Sequence, residues 1–230
     1  MKKLKTRGII LSRTDFSEAD RILTFLTPDY GKLRVIAKGV RKIKSKMAGG
    51  IELLSVSDIG FIRGRGEIST LVSTRLIRHY EMIVKHLDRT MAAYEFIKQI
   101  DKLTEDEVDE EYFLLLEEAF DALNEIRIDL RLVQAWFAMQ ILRMGGRSPN
   151  LFNDTRGDKL SLQRDYDFDF GSMAFIEVDD GKFNAKHIKI LRLGFEGKGP
   201  SKLRTIEGIN EIIIDIGPLA QTMLKTYIQI

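Results

Sequence analysis

The hydrophobic period of the sequence changes at Arg78, and this change constrains the fold more than any other feature. Before Arg78, short segments alternate apolar and polar residues, as half-buried β-strands do. After it, apolar residues recur every three or four positions, as on the buried face of a helix. A chain with strands first and helices afterwards is expected to be an α+β protein with more than one domain.

Five strand-like segments precede the change. They cover residues 8–13, 21–27, 31–38, 51–63 and 67–76. Pro28 and Gly31 mark a turn before the third strand, and Gly64 and Gly66 mark a hairpin turn before the fifth. This strand count, with a long loop after the third strand, favours an OB-fold β-barrel over residues 1–78. An SH3-like barrel is the alternative on strand count alone.

Residues 79–146 are expected to form a helical bundle. Its first two helices span residues 79–103 and carry apolar residues at helical spacing: Ile83, Leu87, Met91, Tyr94 and Ile97. Asp129 is placed to cap a later helix that is rich in large apolar side chains. An apolar stripe of this kind on a helix is more often part of the hydrophobic core than the wall of a cofactor pocket.

The last third of the chain is predicted in two parts. Residues 147–184 contain many turn signals around short apolar runs, which indicates a small irregular β insert with a bend at Gly171. Residues 185–230 are expected to be C-terminal helices that pack on the bundle. The expected fold class is therefore α+β and multi-domain, with an N-terminal OB-fold β-barrel followed by a mainly α-helical domain.

Positive charge is concentrated near the N-terminus. Residues 32–46 contain seven Lys or Arg residues and no Asp or Glu. Residues 1–78 have a net charge of +10, whereas residues 79–230 have a net charge of −8. A basic strand that runs into a basic, glycine-bounded loop is suited to a phosphate backbone, although a solvated charged loop has the same composition.

The sequence does not bring together a recognisable catalytic set. It has no Cys, its three His residues are scattered, and no nucleophile elbow or complete phosphate loop is present. No apolar stretch is long enough to span a membrane. We therefore predict a cytoplasmic binding protein, not an enzyme, with no cofactor and no metal site.

Three segments carry a family resemblance. They are Phe16-Ser-Glu-Ala-Asp-Arg21, Thr27-Pro-Asp-Tyr-Gly-Lys32 and Ala37-Lys-Gly-Val-Arg41. Together they resemble the N-terminal half of the bacterial recombination-mediator RecO family. The resemblance is strong over residues 8–76 and is limited to a matching order of elements afterwards.

The resemblance implies a function and partners. It implies an OB-fold that binds single- and double-stranded DNA and a helical domain that docks other proteins. Members of the family act with RecR to help load RecA onto DNA coated by single-stranded DNA-binding protein, and they anneal complementary strands. It also implies association with the bacterial nucleoid within the cytoplasm.

The candidate DNA-binding residues lie in and around the basic stretch. The resemblance points to Lys38, Gly39, Arg41 and the loop lysines, and we add the cations of the flanking strands. The full set is Arg13, Arg21, Lys32, Arg34, Lys38, Gly39, Arg41, Lys42, Lys44 and Lys46.

The insert departs from the family pattern. Many members carry two Cys-x-x-Cys pairs here, but the corresponding positions in this chain fall near Asp154, Gly157, Phe175 and Val178. These residues cannot form a thiolate zinc site. We therefore expect a zinc-finger-like region without cysteines, held by packing and without structural zinc.

The family's helical domain receives the acidic C-terminal tail of single-stranded DNA-binding protein. Such a site needs an apolar pocket and a cation for the terminal carboxylate. Arg127, Arg131 and Arg143 lie on or beside the most apolar helix and are the weaker partner-binding candidates, with ordinary salt bridges as the alternative.

Two other functions remain open from sequence alone. The barrel could bind RNA, because the loop charge would contact either nucleic acid through the phosphate they share. The chain could also be a protein-interaction adaptor whose acidic helical part carries the main role.

Overall fold

A computed structural model describes residues 2–43, 45, 47–64, 66–104 and 110–228. Its contacts divide the chain into two compact units, Met1–Asn124 and Glu125–Ile230. The first unit contains the sheet and the first three helices, and the second contains the insert and the remaining helices. The strands-then-helices order predicted from the sequence is confirmed.

The first unit is built on one five-stranded sheet. Its strands are β1 (Lys3–Phe16), β2 (Asp20–Thr27), β3 (Gly31–Ala37), β4 (Ser55–Ile62) and β5 (Ser69–His79). They pair in the order β1-β2-β3-β5-β4, and β4 pairs in turn with β1, which makes the sheet an OB-like barrel. The β3–β5 pairing is parallel and the others are antiparallel.

Apolar side chains at alternate positions of the strands fill the interior of the barrel. Because successive side chains of a strand point to opposite faces, one face of β2 and β3 supplies the core. Leu23, Phe25, Leu33 and Val35 lie on that face and are buried together with Phe61 of β4. Thr24 and Arg34, which lie between these residues, face outward.

β1 is longer than the sequence indicates. Its first half, from Lys3 to Ile9, pairs with β4, and its second half, from Ile9 to Phe16, pairs with β2. The extra length comes from these two pairings, each of which gives the backbone hydrogen-bond partners that a lone strand lacks. The extension projects the end of β1 beyond the barrel core, toward the turn that follows β3.

Three helices complete the first unit: α1 (Glu81–Lys85), α2 (Leu87–Leu103) and α3 (Glu110–Asn124). They contact the sheet through ion pairs as well as apolar side chains. Arg7 of β1 lies 3.0 Å from Glu117, and its guanidinium lies 5.0 Å from the ring centre of Phe113. These contacts group the helices with the barrel.

The two consecutive helices predicted over residues 79–103 are present, but the apolar stripe from Ile83 to Ile97 is not their buried face. Leu87 and Met91 are 76% and 65% exposed, and Tyr94 is also exposed. The chain is extended at His86, which separates Ile83 in α1 from the rest of the stripe. Leu87, Met91 and Tyr94 lie on the exposed side of α2, whereas Ile97 lies on its buried side. The buried face of α2 is formed instead by Ala92, Ala93, Phe96, Ile97 and Ile100.

The second unit is organised around α4 (Leu130–Met144). Asp129 caps α4 as predicted, because its side chain accepts a hydrogen bond from the backbone N–H of Arg131. The helix is buried on most sides from Leu132 to Leu142 and packs on the last helix. The other helices are α5 (Ala185–Phe195), α6 (Pro200–Leu203) and α7 (Ile209–Tyr227).

The predicted insert is a three-stranded sheet. Its strands are β6 (Asn150–Asp154), β7 (Tyr166–Asp169) and β8 (Ala174–Glu177), in the order β6-β8-β7. β7 and β8 form the expected hairpin, with Gly171 in its turn. Asp167 and Asp169 are two residues apart in β7 and therefore lie on one face of the strand.

Aromatic packing occupies the second of the two cysteine-pair positions. Phe175 is fully buried, with its ring centre 5.2 Å from that of Phe168 and 5.7 Å from that of Phe183. At the first position, the Asp154 carboxylate accepts backbone hydrogen bonds from Arg156 and Asp158, each 2.9 Å long. The absence of structural zinc stays a prediction. No helix among the described residues is long and apolar enough to cross a membrane.

Candidate nucleic-acid interface

The β1–β2 hairpin and the turn after β3 meet at one end of the barrel. The backbone N–H of Arg41 donates to the Ala19 carbonyl at 3.0 Å, and the N–H of Gly39 donates to Asp20 Oδ1 at 2.7 Å. Gly39 has φ +66°, a left-handed conformation that suits glycine. The two loops therefore form one hydrogen-bonded surface, and each loop contributes cations to it.

Asp15 organises two of these cations. Its Oδ1 lies 2.7 Å from Arg21 Nε, and its Oδ2 lies 3.6 Å from Arg41 Nε. The hydrogen bond from Arg21 holds the pKa of Asp15 below its usual value, with smaller contributions from the charges of Arg21, Arg41 and Arg13. The carboxylate orients the two guanidinium groups and neutralises part of their charge.

Three further cations at this end have no ion-pair partner among the described residues. Arg13 lies near the end of β1, and Lys38 and Lys42 lie in the turn after β3; all three are exposed. Together with Arg21 and Arg41 they make five cations beside the three carboxylates of Asp15, Glu18 and Asp20. We name these five residues the cation cluster.

Lys32 and Arg34 are neighbours on the outer face of β3 but have different surroundings. Lys32 Nζ lies 2.8 Å from Asp101 Oδ1 of α2 and also donates to the Asp101 carbonyl, and its side chain is only 15% exposed. Arg34 is exposed and makes no ion pair among the described residues. Arg34 is therefore available to a ligand, whereas Lys32 is part of the contact between sheet and helix.

A cavity of about 340 Å³ lies beside Arg34. The loop between β4 and β5 forms its other wall, and the Arg63 guanidinium lies 5.4 Å from the ring centre of Tyr30. Neither Tyr30 nor Arg63 is among the residues expected from the sequence. Their nearness depends on the parallel pairing of β3 with β5, for which the sequence has no local signal.

A larger groove, of about 590 Å³, lies over β1, β4 and β5. Its arginines are paired: Arg75 binds Asp58 with Nη2 2.5 Å from Oδ2, and Arg7 binds Glu117. Thr6 donates a hydrogen bond to Asp29 in the same groove. Paired charges make this groove a weaker candidate for a polyanion than the cation cluster.

The structure thus separates the predicted DNA-binding residues into groups. Arg13, Arg21, Lys38, Arg41 and Lys42 converge, with Gly39 between them, while Arg34 extends the surface along β3 and Lys32 is withdrawn from it. Lys44 and Lys46 lie outside the described residues.

The predicted partner-binding arginines do not converge. Arg131 is in the first turn of α4 and Arg143 in the last, about 18 Å apart along the helix axis. Arg127 lies before the helix, and Arg143 Nε donates to Gln140 Oε1 at 3.1 Å. Arg131 alone lines a cavity, of about 280 Å³, with apolar residues of α7.

Asp129 partners Arg131 at this cavity. The Arg131 Nη2 atom lies 2.6 Å from Asp129 Oδ2, and this hydrogen bond raises the pKa of Arg131. The cavity walls include Ile213, Ile214 and Pro218. An apolar floor with a cation at its edge suits a short peptide that ends in a carboxylate.

Comparisons with known proteins cover both parts of the chain. A family model described as "Recombination protein O N terminal" matches residues 1–80, and one described as "Recombination protein O C terminal" matches residues 85–230. The two family models divide the chain between residues 80 and 85.

Similar curated proteins carry one name, "DNA repair protein RecO". That of Rubrobacter xylanophilus is 31% identical over 66% of this chain and 60% of its own length. That of Dehalococcoides mccartyi is 34% identical over 64% of this chain and 58% of its own length. That of a Thermoanaerobacter species is 25% identical over 100% of this chain and 94% of its own length. The two family models account for nearly the whole chain, which therefore belongs to the RecO family.

Proposed function

We propose that this chain is a non-enzymatic, DNA-binding mediator of recombination and strand annealing in DNA repair. It would bind single- and double-stranded DNA and act with RecR to assist RecA loading on single-stranded DNA. The observation that carries the proposal is the cation cluster at one end of an OB-like barrel. The names of the relatives support a role in DNA repair, and the descriptions of the two family models support a role in recombination.

The cluster explains binding without sequence preference. Lys and Arg side chains that neutralise phosphates release condensed counterions, whatever the base sequence. Arg13, Lys38 and Lys42 have no ion-pair partner among the described residues and would contribute most directly. Arg21 and Arg41 are held in place by Asp15, so they would contact phosphates at a smaller cost in side-chain entropy.

Annealing follows from the same electrostatics. Two complementary strands repel each other through their phosphates, and a cationic surface that contacts both lowers that repulsion. Such a role requires no bond-forming step by a protein side chain. The surface would act by bringing the two strands together, after which their bases pair with each other.

The second unit would receive the acidic tail of single-stranded DNA-binding protein. The cavity between α4 and α7 offers Ile213, Ile214 and Pro218 to apolar side chains of the tail and Arg131 to its terminal carboxylate. Binding there would exchange the Arg131–Asp129 pair for a pair with the tail. This leaves the barrel free to hold DNA while the coating protein is engaged.

Annealing of fluorescently labelled oligonucleotides, coated with single-stranded DNA-binding protein, tests the proposed function. The loop variant combines Lys38→Ala, Arg41→Ala and Lys42→Ala. The charge-matched control combines Lys186→Ala, Lys189→Ala and Lys202→Ala, three exposed cations of the second unit. We expect the loop variant to lose at least tenfold in annealing rate and the control to keep the wild-type rate. Equal rates for both variants would reject the proposal.

A competition arm separates DNA from RNA. Labelled single-stranded DNA is displaced by unlabelled DNA or RNA of the same sequence at the same salt concentration. A mediator of recombination is expected to hold DNA at least as tightly as RNA. Preferential displacement by RNA would favour an RNA-binding role for the barrel instead.

A further inference from the structure

Phe16 is a large aromatic residue exposed at the rim of the cation cluster. It is the last residue of β1, is 47% exposed, and follows Asp15, which binds Arg21 and Arg41. The next residue, Ser17, accepts a hydrogen bond from Arg41 Nη1 through its carbonyl oxygen. The Phe16 ring is half exposed and is not part of the barrel core.

The strand register places Phe16 on the outer face of the barrel. Phe16 pairs with Asp20, and two residues earlier Thr14 pairs with Ile22, which in turn pairs with Ile36. Residues two apart in a strand lie on the same face, opposite the face that carries Leu23 into the core. Phe16, Ile22 and Ile36 therefore share one surface, and Arg34 lies two residues from Ile36 on the same side.

This surface combines two kinds of contact. Ile22, the third residue of β2, and Ile36, the last but one of β3, are partly exposed apolar side chains. Arg34 lies two residues before Ile36 on the same face of β3, and Lys38 follows in the turn after the strand, so cations lie next to the apolar strip. Alternating apolar and cationic positions fit the bases and phosphates of one extended strand.

We propose that Phe16 stacks on a base of bound single-stranded nucleic acid, with Ile22 and Ile36 against the adjacent bases. This inference rests on the proposed function, and it adds how a single strand is distinguished from a duplex. The faces of bases in a duplex are covered by their neighbours, so Phe16 reaches them only in a single strand. The cation cluster contacts phosphates in both forms.

The proposal separates two contributions to binding. Stacking of a base on an aromatic side chain does not depend on ion release, whereas phosphate contacts do. Loss of the Phe16 ring is therefore expected to weaken binding equally at all salt concentrations. Loss of a cation is expected to reduce the salt dependence itself.

The test uses the full chain and oligonucleotides that contain 2-aminopurine, a base whose fluorescence is quenched by stacking. Affinities for a single strand and for its duplex are measured against salt concentration for wild type, Phe16→Ala, Phe16→Leu and Phe16→Tyr. Phe152→Ala is the matched control, since Phe152 is an exposed phenylalanine of the second unit that lies beside a cation, Arg192. Phe16→Leu keeps an apolar side chain of similar reach, which guards against a loss caused by misfolding.

We expect Phe16→Ala and Phe16→Leu to weaken single-strand binding about fivefold or more. Their duplex affinities are expected to stay within twofold of the wild-type value. Their salt slopes and thermal midpoints are expected to equal those of wild type within experimental error. Phe16→Tyr and Phe152→Ala are expected to bind as wild type does. The quenching of 2-aminopurine is expected to decrease in the alanine and leucine variants.

Two results would overturn the inference. One is single-strand binding by Phe16→Ala that matches wild type; the other is an equal loss for single strand and duplex. Both differ from failure of the proposed function, in which wild type itself shows no salt-dependent binding to either form.

Discussion

Lys32 and Arg34 are cations of the same strand, but Lys32 is predicted to stabilise the fold and Arg34 to bind DNA. Lys32 binds Asp101 of α2, and Arg34 faces outward without an ion-pair partner among the described residues. We expect Lys32→Gln to lower stability and to leave DNA binding unchanged. We expect Arg34→Gln to do the reverse.

The size of each effect follows from the surroundings of the side chain. The Lys32 side chain is 15% exposed but its partner Asp101 is 42% exposed, so the pair is close to a surface ion pair and contributes about 1 kcal/mol. In a protein of this length, a loss of about 1 kcal/mol lowers Tm by about 2–4 °C. Arg34→Gln removes one phosphate contact, which reduces the slope of log affinity against log salt by about 0.7 and the affinity at 0.15 M salt by about fourfold.

Two measurements check this pair of variants. Thermal unfolding followed by circular dichroism gives Tm, and fluorescence anisotropy with a labelled single strand gives affinity at several salt concentrations. If Lys32→Gln loses as much affinity and salt slope as Arg34→Gln, Lys32 binds DNA too and the distinction between the two residues is wrong. It is also refuted if Arg34→Gln unfolds at a lower temperature than Lys32→Gln, since that would place Arg34 in the packing contact.

Further predictions concern the carboxylate of the cation cluster and the insert. Asp15→Asn removes a negative charge from the cation cluster and is expected to raise single-strand affinity about threefold at 0.15 M salt, measured by anisotropy; a lower affinity would show that its main role is to orient the arginines. Phe175→Ala is expected to cost about 3–5 kcal/mol in chemical denaturation, whereas a zinc chelator leaves the wild-type midpoint unchanged. Hydrogen bonds from the Ser172 hydroxyl and from the backbone N–H groups of Ser172 and Gly171 lower the pKa of Asp169. The stabilisation that depends on its charge is therefore present above about pH 4 and is lost as pH falls through the lowered pKa, so the stability difference between wild type and Asp169→Ala should shrink below pH 4.

Local sequence patterns predicted where strands and helices lie, but they could not predict which distant strands pair with each other. Alternation placed residues 21–27 and 31–38 in strands, and both are strands within a residue of the predicted bounds. The parallel pairing of β3 with β5 joins segments more than 30 residues apart, and no local pattern specifies it. That pairing is what brings Arg63 to the side of β3 that carries Arg34.

The error in α2 has a similar origin. Ile83 and Ile97 have the spacing of one helical face, and both are buried, but Leu87 and Met91 between them are exposed. Two helices were predicted here, but no proline or glycine near His86 marks where the first one ends. The contacts of α1 and α2 with their neighbours set the phase of each helix separately.

For the site, composition indicated the surface but not its members. Charge density alone made Lys32 as good a candidate as Lys38. The difference arises from Asp101, which is 69 residues away in the sequence and meets Lys32 only in the folded unit. Phe16 had no signal as a ligand-binding residue either, because its exposure depends on how far β1 extends past the barrel core.

The salt dependence of single-strand binding shows directly whether the cation cluster is the DNA-binding surface. If about five cations contact phosphates, log affinity should fall with log salt at a slope of about −3.5 for wild type. The loop variant, with Lys38, Arg41 and Lys42 replaced by alanine, should have a slope smaller in magnitude by about 2. A wild-type slope near zero, or the same slope in the loop variant and wild type, would show that the cation cluster is not the DNA-binding surface.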